Sequence, residues 1–113
     1  MEKELSTEVQ EKISQLQMYE QSLQNFLAQK QQFQAQLMEA ESALKELEKS
    51  DEAYKIIGNI MVKTDGKSLL DDIRRKKEML DLRVRTIDNQ QKALKEKALK
   101  IQDEVMKEME KKK

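Results

Sequence analysis

The sequence predicts a mainly α fold, an antiparallel two-helix coiled-coil hairpin with one short β-hairpin at the connection, and three observations predict it. Apolar residues recur at seven-residue spacing through both halves of the chain. Zero Pro and two Gly, both near the middle, leave almost nothing to interrupt a helix on either side. Between the halves, Ala53-Tyr54-Lys55-Ile56-Ile57-Gly58-Asn59-Ile60-Met61-Val62-Lys63 is rich in β-branched residues and is split by Gly-Asn. The 113 residues read as a single unit: a first coiled-coil helix over 1–52, a β-hairpin over 53–64 and a second coiled-coil helix over 65–113.

In the first arm, one line of seven-residue spacing runs Val9, Leu16, Leu23, Lys30, Leu37, Leu44. The other runs Leu5, Lys12, Tyr19, Phe26, Phe33, Ala40, Leu47. Steps between the lines alternate three and four, which is a coiled-coil seam sustained over about six heptads. The Gln-rich stretch from Gln21 to Gln36 keeps this period with its glutamines mostly outward, so it reads as a solvated helix face.

At the connection, Gly supplies the positive φ that the first central position of a tight hairpin turn requires. Ile57 then faces Ile60, Ile56 faces Met61, Lys55 faces Val62 and Tyr54 faces Lys63. Both faces carry large apolar groups. An isolated two-stranded hairpin is marginal in water, and one apolar on both sides with two bare edges invites pairing. The hairpin is therefore expected to be buried by strands from other chains.

The second arm has the seam Leu70, Ile73, Lys77, Leu80, Val84, Ile87, Gln91, Leu94, Ala98, Ile101, Val105, Glu108. Thr64, Asp65 or Ser68 could cap its start, and its lysine-rich end suits the negative pole of a helix. Arg74-Arg75-Lys76-Lys77 is a basic cluster of the kind that can bind phosphate. Acidic neighbours surround it, Lys77 lies on the seam and no aromatic platform accompanies it, which favours a solvated face.

If the hairpin reverses the chain, the arms pair antiparallel, and a register in which facing residue numbers sum to 117 matches the seams position by position. Leu47 then meets Leu70, Leu37 meets Leu80 and Leu16 meets Ile101. Residues 1–53 hold 5 basic and 11 acidic side chains and residues 66–113 hold 15 and 10, so the arms carry opposite net charge. Past Leu16 the match deteriorates: Lys12 faces Val105, Val9 faces Glu108 and Leu5 faces Lys112. Pairing is expected to loosen there, roughly 65 to 70 Å from the hairpin at about 1.5 Å per residue. Leu5, Val9, Ile13, Val105, Met106 and Met109 form a candidate apolar surface at this end, of the adaptable, Met-containing kind that binds exposed hydrophobic segments.

Hydrophobic residues make up 37% of the chain and charged residues 39%, too little apolar content for a compact core but enough for a narrow helical seam. The chain has no Cys and no His, so the commonest nucleophilic, acid-base and transition-metal side chains are missing. This argues against an enzyme, and no cofactor or metal is expected. No apolar run has the length of a membrane span and the N-terminus lacks signal-peptide regions, so a cytoplasmic protein is expected.

The hairpin stretch Ala53 to Lys63, together with Leu82-Arg83-Val84-Arg85-Thr86-Ile87-Asp88-Asn89-Gln90-Gln91 and the order helix, single hairpin, helix, resembles the prefoldin family, and specifically its archaeal beta type. The alpha type carries two hairpins, for which there is no room. The resemblance implies a hexamer of two alpha and four beta subunits whose hairpins form β-barrels, a platform from which the coiled coils project. It implies ATP-independent capture of unfolded polypeptide at the coiled-coil tips and delivery to a group II chaperonin. By position it places Leu5, Val9, Ile13, Val105, Met106 and Met109 against substrate. It places Tyr54, Ile56, Ile57, Ile60, Met61 and Val62 in oligomerisation.

Two other functions compete. A structural coiled-coil spacer or adaptor would have inert tips. An RNA-binding helical arm would show steep salt dependence, and zero net charge with an acidic first arm argues against it.

Overall fold

The computed structural model describes residues 6–50 and 52–111. Leu5 lies outside them. Element order is α1 (Thr7–Lys49), β1 (Glu52–Ile57), β2 (Ile60–Asp65) and α2 (Gly66–Lys111), a mainly helical chain with a two-stranded sheet between its long helices.

Helix α1 runs 43 residues without Gly or Pro. Ser6 starts it: its Oγ accepts a hydrogen bond from the Val9 backbone N–H at 3.1 Å and its carbonyl accepts from Gln10 at 3.0 Å. The otherwise orphaned Val9 N–H is satisfied in this way, the Gln10 bond is the first of the regular helical ladder, and Glu8 lies at the positive pole. After Lys49, the Ser50 hydroxyl accepts from the Glu52 N–H and donates to the Glu52 carbonyl, at 3.3 and 3.1 Å. Among the three expected caps of α2, Asp65 takes the role, its Oδ1 accepting from the Lys67 N–H at 3.3 Å.

The strands pair antiparallel with Ile57 opposite Ile60, Ile56 opposite Met61, Lys55 opposite Val62 and Tyr54 opposite Lys63, the register read from the sequence. Pairing extends to Glu52 opposite Asp65. Gly58 has φ of 61° and, among the described residues, no non-Gly residue has positive φ, the backbone pattern of a type II′ turn. An added Cβ at Gly58 would meet nothing within 4 Å, so the demand for glycine is conformational rather than steric.

The chain divides into two compact units. One combines residues up to 29 with those from 87 onward, and the other spans Lys30–Thr86 and contains the hairpin. Within each, α1 and α2 pack antiparallel. In the first, Lys12 reaches Glu104 and Glu108. In the second, Lys77 reaches Glu41 at 3.9 Å, and the Arg83 guanidinium sits 5.6 Å from the Phe33 ring centroid. Every seam position from Val9 to Leu47 and from Leu70 to Glu108 is buried or half-buried, including the polar Lys12, Lys30, Lys77, Gln91 and Glu108.

The expected loosening past Leu16 does not occur among the described residues, and Leu5 and Lys112 lie outside them. Val9 is the most deeply buried large side chain described, 1% exposed, and Val105 is buried too. The mismatch of Lys12 against Val105 is relieved sideways: the lysine stem stays on the seam while its ammonium leaves toward carboxylates on the flank.

Candidate functional site

Two surfaces remain apolar and exposed after the seam has closed. The first is the hairpin. Period-two alternation places Tyr54, Ile56, Met61 and Lys63 on one face and Lys55, Ile57, Ile60 and Val62 on the other. Tyr54, Ile56, Ile57, Ile60, Met61 and Val62 are all exposed, Ile56 at 69%. Ala53 alone among the strand residues is buried, and it lines an apolar groove with Ala43, Leu47, Leu69 and Ile73 at the helix ends. The hairpin is thus anchored at its root, while its six largest apolar side chains stay 43% to 69% exposed. Both strand edges are also unpaired within this two-stranded sheet.

The second surface lies in the unit that holds the end of α2. Of the residues proposed there from sequence, Val9 and Val105 are core, Ile13 is half-buried, and Met106 and Met109 are exposed at 56% and 48%. Leu5 is outside the described residues. The structure adds Leu99, 64% exposed and seven residues before Met106, hence on the same helix face. Sequence reasoning passed over Leu99 because it is off the seam. The signal that could have found it is its seven-residue step to Met106.

The same unit holds an ionic cluster. The Lys12 ammonium lies 3.4 Å from Glu8, 3.5 Å from Glu104 and 3.3 Å from Glu108, with its side chain 20% exposed. Desolvation is the largest single influence on it and lowers its pKa. The hydrogen bond and charge of Glu108, followed by those of Glu8, together outweigh that influence and hold the lysine above its ordinary value. Glu104 and Glu108 on this ammonium tie α2 to α1, three residues along the chain from the buried Val9.

Among the described residues, no group of three or more His, Cys, Asp or Glu is arranged to hold a metal ion, and no helix is long and apolar enough to cross a membrane. What the geometry offers is apolar surface and unpaired strand edge, the raw material of protein–protein contact.

Comparison with known proteins agrees with this architecture. The family model for "Prefoldin subunit" matches residues 10–112. Prefoldin subunit beta of Methanothrix thermoacetophila is 33% identical over 108 residues, covering 93% of this chain and 90% of the relative. That of Archaeoglobus fulgidus is 35% identical over 105 residues, covering 90% of each. The crystal structure of the prefoldin beta subunit from Thermococcus strain KS-1 superposes with a TM-score of 0.85 at 32% identity, over 94% of this chain and 96% of that one. A helix, single hairpin, helix order with a continuous seam, matched over nearly its whole length in sequence and in structure, means that this chain belongs to the prefoldin beta subunit family.

Proposed function

We propose that this chain is a subunit of an ATP-independent chaperone that captures unfolded polypeptides at the helix-pair end and delivers them to a group II chaperonin. Prefoldin subunits are non-enzymatic chaperone components and assemble with other prefoldin subunits. On this reading the exposed hairpin residues Tyr54, Ile56, Ile57, Ile60, Met61 and Val62 join strands from partner chains into β-barrels. The assembly is a hexamer of two prefoldin alpha and four beta subunits in the cytoplasm.

The observation that supports capture is that Met106 and Met109 stay exposed at the end of α2 while their seam neighbour Val105 is buried. A flexible thioether surface makes many weak contacts with chains of different sequence and needs no fitted pocket. Ile13 borders that surface from α1, and Leu5, Val9 and Val105 complete the candidate set, the valines by supporting it from beneath. The burial of Val9 and the Lys12 cluster give the competing reading, an inert structural spacer or adaptor, its own support.

A chain trimmed to residues 14–100 tests the two. Capture predicts that the trimmed subunit still assembles with an alpha-type partner, by native mass, and no longer suppresses aggregation of a denatured protein. Full protection by the trimmed assembly would sink capture in favour of the spacer.

A further inference from the structure

The two flanks of the helix pair in the unit that holds Met106 differ in kind. Leu99, Gln102, Met106 and Met109 follow one another at steps of three, four and three, which keeps them within about 80° of one another around α2. The Lys12 cluster tells the flanks apart. Glu8 and Glu104, both held by Lys12, each immediately precede a buried seam valine, Val9 or Val105, so residues preceding such positions share one flank. Ile13, Gln102 and Met109 each immediately follow a seam residue of the alternate line, Lys12, Ile101 or Glu108, so they share the other.

The chemistry of the flanks differs accordingly. On the Met106 flank, Gln10, Ile13, Leu99, Gln102, Met106 and Met109 carry no charge, and the strip ends where the same rule places Glu20 and Lys95. On the Lys12 flank stand Glu8, Glu11, Lys97, Glu104 and Lys107. The interior between the helices is not on offer, since Val9 is 1% exposed and Val105 is buried.

We infer that capture is one-sided: the uncharged flank, with Leu99 extending it from Met106 and Met109, binds extended, uncharged apolar segments of non-native polypeptide on the outside of a closed helix pair. The inference rests on the capture reading above and names where and what it captures. Met and Leu side chains supply adaptable apolar contact. Gln102 places an amide group beside it, of the type that hydrogen-bonds the backbone of an extended chain. A charged segment laid on this strip would lose hydration with no counter-charge on the strip itself.

The test uses the full-length subunit in its assembly and exchanges apolar side chains for Gln, which keeps helix propensity. Leu99→Gln with Met106→Gln changes the proposed flank. Met18→Gln changes an equally bare residue, 66% exposed, on the Lys12 flank. With helicity and native mass unchanged, the double variant is expected to need about tenfold more protein for equal suppression of aggregation, while Met18→Gln matches the parent. Equal losses in the two variants, or no loss in the double variant while the 14–100 chain has lost protection, would overturn one-sidedness and leave capture standing. Full protection by the 14–100 chain would overturn both. A dye-labelled extended apolar peptide should bind the parent roughly tenfold tighter than the same peptide carrying interspersed lysines or aspartates. Equal binding of the three would overturn the assigned occupant.

Discussion

The helical seam and the hairpin are built from similar side chains that end in opposite places. Leu80 and Ile87 on the seam are buried, while Ile56, Ile57 and Ile60 in the hairpin are among the barest apolar residues of the chain. The difference follows from period. A heptad pattern gathers apolar residues on one stripe of each helix, and a second stripe in the same chain covers it. A period-two pattern in a two-stranded sheet makes two faces, and apolar residues on both faces exceed what two helix ends can cover. The seam is satisfied within the chain. The hairpin's apolar faces are left exposed.

The most severe break of this contrast is to place like charges across the hairpin. Ile57→Lys with Ile60→Lys sets two ammonium groups directly opposite each other. The expected outcome is loss of assembly by native mass with the helical circular dichroism retained, and persistence of the oligomer would move the interface elsewhere. The converse test is on the seam, where Leu80→Ala should cost about 2–5 kcal/mol in denaturant unfolding. Its exposed neighbour Met79, changed to Ala, should stay within about 0.5 kcal/mol.

A smaller effect is expected at the turn. Gly58→Ala meets no neighbour, so the cost is that of a positive φ for an L side chain, about 1 kcal/mol, seen as a modestly lower thermal midpoint. The smallest is electrostatic. Because the folded state holds Lys12 above the ordinary value of 10.5, its contribution is fully present below that value and is lost as pH rises through the folded pKa. The parent should therefore lose stability relative to Lys12→Met on going from neutral to strongly alkaline solution. Thermal melts whose separation is unchanged by alkali would show that the cluster does not act through the lysine charge.

Much of this was legible in residue order. The seam from Val9 to Leu47 and from Leu70 to Glu108 coincides with the observed burial, and Gly58-Asn59 set the hairpin register. Periodicity along one helix carries that information. Leu99 was legible only through its seven-residue step to Met106, away from the seam, and Arg83 was not legible, because its place over Phe33 depends on what stands beside it on the other helix, which no spacing within one arm reports. The same holds for Lys12, which reads as a mismatch along the seam and becomes a tie once Glu8 and Glu104 are placed beside it.

By itself, then, the sequence determined two helices, the seam along each and a hairpin with apolar residues on both faces, since all three follow from local periods and a glycine turn. The tertiary structure decided that the pair stays closed at Val9 and Val105, that Ala53 roots the hairpin on the helix ends, and which flank of the pair is left without charge. The reason is geometric. Burial on a seam is a property of one helix's period, whereas the character of a flank comes from two helices brought side by side, 96 residues apart in the chain for Lys12 and Glu108.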